Sequence, residues 1–302
     1  MHSGTVVDSH IHLWDLKRLY YDWLTDKIVT DDVMGDYTRI CNRNYLPEDF
    51  LRDLPPTENV IAVHLDCALG HEDPVDETEW VASLAQSHRW IGAIVGRGDL
   101  TDPQFDELLD RHMTASGLFR GIRMFCRPEV WSTTEFARGL RLLRDRKLSF
   151  DLDADPETMA RAGEMAEVCD DLSIILGHAG FPKQRTVEYF QRWSKAVKGL
   201  AEHGNVACKV SGLGMADHQW TEDSIRPWVQ ECLECFGTER CMFGTNWPVD
   251  SLYSDYGTVL NSYRSILSSL SDDEQRKFFY QNAVHYYAIR VIPSEVNRSG
   301  SP

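Results

Sequence analysis

One pattern recurs eight times along this 302-residue chain and limits its fold more than any other feature. A short apolar stretch rich in β-branched residues runs into a polar residue or a glycine, and an amphipathic or polar segment follows. The eight stretches are Thr5–His12, Val60–Asp66, Ile91–Gly98, Gly121–Phe125, Leu148–Asp153, Ser173–His178, Asn205–Ser211 and Arg240–Asn246. Most are separated by enough chain for a crossover helix, and strands that alternate with helices pair in parallel. Eight such units predict an α/β fold, a single (β/α)8 TIM barrel, in preference to an open sheet. The barrel is expected over residues 1–292, with the polar stretch 293–302 as a disordered tail.

Helical periodicity marks Glu157–Val168, Ser224–Phe236 and Asp272–Tyr287 among the intervening segments. Pro227 is acceptable only in a first turn. Ser271 and Glu274 have the spacing of a capping box. The longest connection, Asp15–Asn59, carries Tyr20, Tyr21, Trp23, Tyr37 and Tyr45, and reads equally as a lid or as a packed excursion.

A net charge of −16 opposes binding to nucleic acid and to anionic membranes, which leaves a small molecule as the expected partner. A homo-oligomer is compatible with the sequence. There is no signal-peptide pattern and no apolar run of membrane-spanning length, so a cytoplasmic protein with reduced thiols is expected from its eight cysteines. Cys232 and Cys235 form one C-x-x-C without a second pair, and read as neighbours on a helix.

Side chains of a strand alternate between faces. The outer face of such a barrel packs on helices, so polar residues of the other phase point inward, and near the C-terminal strand ends they point at the active site. On the first strand Val6, Asp8, His10 and His12 share a phase. His-x-His places two imidazoles about 7 Å apart along the strand, within reach of one metal ion or one carbonyl. His64 and Asp66 share a phase on the second strand. Arg123 points inward on the fourth and needs an anion, from substrate or a neighbouring Asp. Asp151 and Asp153 follow on the fifth, His178 ends the sixth, Lys209 and Ser211 lie on the seventh, and Asn246 ends the eighth. Asp250 lies in the loop beyond. Lys209 can polarise a carbonyl, bind an anion or neutralise Asp151 or Asp153.

The motifs Val-Val-Asp-Ser-His-Ile-His-Leu-Trp-Asp, Gly-Ile-Arg, Gly-His-Ala-Gly-Phe-Pro, Asn-Val-Ala-Cys-Lys-Val-Ser-Gly-Leu-Gly-Met and Arg-Cys-Met-Phe-Gly-Thr-Asn-Trp-Pro-Val-Asp occur in this order. Together they resemble the amidohydrolase-related TIM-barrel hydrolases of the amidohydrolase 2 type, which include sugar lactonases and 2-pyrone-4,6-dicarboxylate lactonase. The resemblance spans almost the whole chain. It implies that His10 and His12 match the family's strand-one pair and His178 its strand-six histidine. Asn246 stands where the enzymes of known mechanism have an aspartate, and an amide can orient water but cannot act as a general base. Strand five lacks the histidine of binuclear members, so the resemblance does not imply a two-metal site. One divalent ion, zinc or manganese, on His10, His12 and His178 remains open, and so does a metal-independent site.

The resulting expectation is a hydrolase that opens a lactone or related cyclic ester. His10, His12 and His178 hold a metal or the carbonyl itself, Asn246 orients water, and Asp250 or Asp66 takes its proton. Arg123, Lys209, His64, Asp66 and Asp153 contact substrate, and Trp14 and Trp247 wall the pocket. No Gly-x-Ser-x-Gly nucleophile is present. A metal-dependent decarboxylase or hydratase on the same barrel is the alternative, and a non-catalytic ligand-binding or scaffold protein the third reading.

Overall fold

The computed structural model of the protein describes residues 4–26 and 33–290. Eight strands form one sheet: β1 (Val6–Ile11), β2 (Val60–Leu65), β3 (Ile91–Arg97), β4 (Phe119–Arg123), β5 (Ser149–Leu152), β6 (Ile174–Leu176), β7 (Val206–Val210) and β8 (Cys241–Phe243). Each pairs in parallel with the next in sequence. The ends meet just past β8. Ile11 bridges to Trp247, the Asn246 N–H donates to the His10 carbonyl (2.8 Å), and the His12 N–H donates to the Trp247 carbonyl (2.7 Å). The fold is the predicted TIM barrel. The expected tail, 293–302, lies outside the described residues.

Among the described residues, seven crossover helices connect the strands, from Pro47–Asp53 to Glu222–Phe236, a short helix (Asp22–Thr25) precedes the first of them, and Tyr256–Ile266 follows β8. The larger apolar core lies between strands and helices, where Leu148, Phe150 and Leu152 of the β5 segment are buried. A smaller core fills the barrel itself with Val7, Val63, Leu65, Val95, Ile175 and Met242. Its base is plugged by the C-terminal segment through Ala283 and Tyr287. Periodicity predicts one helix for that segment. It is instead a short α-helix (Asp272–Arg276), a wide π turn (Lys277–Gln281) and a second short helix (Asn282–Tyr286). Ser271 and Glu274 form the expected capping box. Pro227 departs from expectation: the helix begins at Glu222, capped by Thr221, so the proline sits beyond its first turn.

The β1–β2 connection is a packed excursion in its described part. Trp14 bridges Tyr45, Trp14 and Trp23 pack edge to face, and Tyr21 and Tyr37 are buried. Cys232 and Cys235 are free thiols on one helix. No helix of the described residues is long and apolar enough to cross a membrane.

The β1 register corrects the sequence reading. Asp8 pairs with Ala62 and Ile11 with His64, so β1 advances three residues while β2 advances two. One extra residue in β1 flips its alternation. Val7 therefore faces the barrel interior and Val6 the helices. Asp8 does not share the inward phase of His10 and His12. Its fully buried carboxylate instead accepts from the His10 N–H (3.1 Å), the Thr245 N–H (2.9 Å), the Thr245 hydroxyl (2.6 Å) and the Tyr256 hydroxyl (3.0 Å). Removing it strands four buried donors, each worth about 1–3 kcal/mol when left unsatisfied. Asp8→Ala should cost on the order of 4 kcal/mol, read as a lower urea midpoint. Asp8→Asn, which keeps one acceptor oxygen, should lie between it and wild type.

Candidate active site

The bulge in β1 brings the two imidazoles to the mouth of the barrel with His10 Nε2 and His12 Nε2 3.2 Å apart. His12 Nδ1 lies 2.9 Å from the Leu65 carbonyl, which only accepts, so Nδ1 carries the proton and Nε2 presents a lone pair. The His178 ring packs on His10 at 4.3 Å between centroids, and its Nδ1 lies 2.9 Å from the Ser211 hydroxyl. His178 reaches this place through a left-handed backbone (φ 48°) continued at Ala179 (φ 51°). Gly212 leaves room for it: a Cβ there would stand 2.6 Å from His178 Nδ1. Burial pushes all three histidines well below the usual imidazole range. Charge then adds to this, led by His178 at His10, by Arg123 at His12 and by Lys209 at His178. The three rings are therefore neutral near pH 7.

Two buried cations and three carboxylates surround the rings. The Arg123 Nε–H donates to Asp66 Oδ1 (2.9 Å), and its Nη2 donates to the Asp66 carbonyl. The Arg123 guanidinium sits beneath the exposed Phe125 ring. Lys209 donates to Asp151 Oδ1 at 2.7 Å, shared with the Tyr287 hydroxyl at 2.7 Å, and its Nζ lies 3.5 Å from His10 Nδ1. One oxygen each of Asp66, Asp151 and Asp153 is buried without a hydrogen-bond partner. Burial pushes Asp153 up to about 6 against the pull of Arg123. Asp153 is half-buried and makes no ion pair within the described residues, and its unpartnered Oδ2 is itself buried, so it is the carboxylate here that is not tied to a cation.

Four expected residues behave differently. His64 faces the helices, because β2 turns Val63 and Leu65 inward. Its Nδ1 accepts the Leu13 N–H (3.3 Å) and its Nε2–H donates to Glu77 (3.2 Å), so it is not offered to substrate. Asp250 does not reach the histidines. Its carboxylate accepts from Asn246 Nδ2 (3.0 Å) and from the Gly214 N–H, and the Asn246 side chain in turn bonds His12. Trp14 and Trp247 turn outward, donating their indole N–H groups to the Arg43 carbonyl (2.9 Å) and to Asp53 (2.8 Å). They line a cavity of about 440 Å³ over the β8–β1 seam whose walls do not include His10, His12 or His178.

The paired histidines fit one metal ion. Two nitrogens on a tetrahedral zinc stand about 3.3 Å apart at the usual bond length, close to the 3.2 Å found between His10 and His12. The donor atoms of His178 do not converge with both: among the described residues, only His64, Cys67 and Glu77 bring three such atoms within 4.8 Å. The hydrogen bonds of that second set argue against a metal there. Leu13 donates to His64 Nδ1 and Glu77 accepts from Nε2–H, while Glu77 also takes the Cys67 and Ala68 N–H groups, so the set is already satisfied by protein partners.

The sequence profile of the amidohydrolase family matches residues 7–289. The chain belongs to this family. It is 40% identical over 301 residues to the uncharacterized protein y4mH of Sinorhizobium fredii, covering 96% of this chain and all of that one. It is 27% identical to an L-fucono-1,5-lactonase of Burkholderia multivorans, covering 94% and 96% of the two chains. A crystal structure of an amidohydrolase from Burkholderia multivorans with bound zinc superposes with a TM-score of 0.80 at 25% identity, covering 95% of this chain and all of that one. An enzyme that runs hydrolysis or a related reaction on this barrel is thus supported for the present amidohydrolase.

Sequence reasoning misses three contributors to this amidohydrolase site: the Leu65 carbonyl that fixes the His12 tautomer, Tyr287, and Glu77. A carbonyl leaves no mark in sequence, and the other two act from the plug and from the helix that follows β2. Asp250 yields a measurable consequence. Burial pushes its carboxyl up to about 7, so the folded state holds a proton that the unfolded state releases near pH 4. Stability from this group is therefore lost as pH rises from about 4 to about 7. The urea stability of wild type relative to Asp250→Asn should fall over that window by up to about 4 kcal/mol and be flat above it. A flat difference throughout would show Asp250 ionised in the folded protein.

Proposed function

We propose that this protein adds water across the acyl–oxygen bond of a sugar lactone or related cyclic ester. The observation that carries the reading is the close pair of neutral imidazoles, His10 and His12, set between the buried cations Lys209 and Arg123 at one barrel mouth. Identity to L-fucono-1,5-lactonases of Burkholderia supports the substrate class. An ester carbonyl placed between the pair and Lys209 is polarised by charge and by N–H donors arranged before substrate arrives. Water oxygen bonds to the ester carbon as the carbonyl electron pair moves onto oxygen. Collapse of that tetrahedral species breaks the carbon–oxygen ring bond, the released ring oxygen takes back the proton that the attacking water gave up, and a hydroxy acid leaves.

The proton from the attacking water goes to Asp153 in this reading. It has an unpartnered oxygen in the site and a carboxyl pushed up to about 6, which is ionised at neutral pH yet basic. Asp250 has a different role, because its carboxylate fixes the Asn246 amide, which contacts His12. His10 Nε2 and His12 Nε2 are the atoms that would hold a divalent ion, which supplies Lewis acidity and a bound water of lowered pKa.

A pH-stat screen of aldonolactones and other cyclic esters tests the reading, with base consumption as the positive result. His12→Ala and Asp153→Asn should each lower kcat by about 100-fold or more, and Arg123→Met should act mainly on KM. Chelation followed by zinc addition reads the metal separately. Absence of turnover across the panel, or carbon dioxide release from an aromatic acid in its place, would sink it.

A further inference from the structure

The catalytic reading uses groups inside the barrel, yet one buried carboxylate outside it makes more hydrogen bonds than any reaction role requires. Glu77 lies in the first turn of helix Pro74–Ala85, between strands and helices, and is 4% exposed. It accepts the Cys67 N–H (3.0 Å to Oε1, 3.2 Å to Oε2), the Ala68 N–H (3.2 Å) and the His64 Nε2–H (3.2 Å). The Cys67 thiol lies 3.3 Å from the same carboxylate. No Arg or Lys of the described residues pairs with it. Burial pushes Glu77 up, but the His64 and backbone N–H bonds outweigh this and hold it below the usual carboxylate range. The helix N-terminus adds to the preference for an anion.

The residues that Glu77 grips adjoin the ones that aim the site. His64 uses its other nitrogen to accept the Leu13 N–H, directly after His12 in the chain. Leu65, next to His64, offers the carbonyl that takes the His12 Nδ1–H. Asp66, next to Cys67, clamps Arg123 through both its carboxylate and its carbonyl. We infer that Glu77, acting through His64 and the Cys67–Ala68 backbone, is the positioning residue that holds the His12 ring and the Arg123 guanidinium in their working orientation. It touches no reacting atom. Ionised Glu77 requires the Nε2–H form of His64, which leaves Nδ1 free for Leu13. The tautomer of His64 is thus set by one carboxylate on the helix side of the sheet, and the Leu65 carbonyl that fixes the His12 tautomer is the next residue along.

The kinetic arm of the test rests on the lactonase reading and the spectroscopic arm does not. In Glu77→Gln the amide can satisfy either the backbone N–H groups or His64, but not both. Long-range proton–nitrogen spectra of 15N-histidine-labelled protein should show an Nδ1–H form for His12 and an Nε2–H form for His64 in wild type. In E77Q the His64 form should change and the His12 Nδ1–H signal should be lost. On the lactone that wild type opens, kcat should fall about 10–100-fold with little change in KM. His64→Gln, which keeps a donor toward Glu77, should retain most of the wild-type kcat, whereas His64→Leu should not. His64→Leu also carries the test if E77Q does not fold, since it keeps the backbone bonds of Glu77. A retained His12 Nδ1–H signal in E77Q and His64→Leu would overturn the inference, as would unchanged kcat in both. So would stoichiometric zinc in wild type that is lost on Cys67→Ser, because the cluster would then be a metal site. If wild type opens no lactone, the functional reading fails and the spectra alone decide the role of Glu77.

Discussion

The barrel depends on how its last strand is joined to its first, and a buried carboxylate reinforces the few backbone bonds that make that join. β8 is three residues long, and the seam to β1 runs just past its end, through Asn246 and Trp247. Asp8 completes the seam by accepting from Thr245 on one side, from His10 on the other and from Tyr256 on the helix behind. Closure matters because an open sheet leaves unpaired backbone groups at both edges. The tie has a cost: burial pushes Asp8 up to about 6 despite four donors. It also sits at the bulge, and the bulge is what turns His10 and His12 toward the mouth while Val7 still fills the core below. Closure of the barrel and aim of the histidines are one local event.

The same bulge explains why some of the site is legible in sequence and some is not. On β4, β5 and β7 plain alternation holds, and it locates Arg123, Asp151, Asp153 and Lys209. On β1 alternation finds His10 and His12 relative to each other but misplaces Asp8, since the extra residue carries no glycine or proline to announce it. On β2 it fails for His64 because both phases are largely apolar. The lower barrel interior is packed with Val63 and Leu65 just as the outer face is packed with Ala62, so hydrophobicity does not tell inside from outside. Trp14 and Trp247 escape the sequence for another reason. Their indole partners, the Arg43 carbonyl and Asp53, come from the long excursion after β1, and no period in the sequence links them.

Polar satisfaction, more than charge, organises what surrounds the histidines. Arg123 and Lys209 are each neutralised by an aspartate from another strand. Buried pairs of this kind add little net stability, because desolvation offsets the attraction. Their value lies in geometry: each cation is held by at least one short bond, and Lys209 thereby stands 3.5 Å from His10 Nδ1. Tyr287 extends this downward, since its hydroxyl reaches Asp151 from the plug at the base of the barrel. The C-terminal segment is therefore mechanically connected to Lys209.

Asn246 changes where negative charge can reside at the mouth. It adopts a left-handed backbone (φ 62°), which asparagine tolerates better than most residues, and it packs its amide between His12 and Asp250. An aspartate there would place a carboxylate against His12 with Asp250, Asp8 and Thr245 close behind. The amide removes that charge, and Asp250 beyond it is pushed toward its protonated form. The β8 side of the mouth is thereby close to neutral, while Asp66, Asp151 and Asp153 make the β2 and β5 side acidic. A carboxyl group that accepts a proton from water must be ionised and have an oxygen to spare. Of these three carboxylates, Asp66 and Asp151 spend one oxygen on a fixed cation. Asp153 alone combines an unpartnered oxygen with partial exposure. With an asparagine at the end of β8, the carboxylate of the mouth that is tied to no cation is Asp153 of the β5 segment.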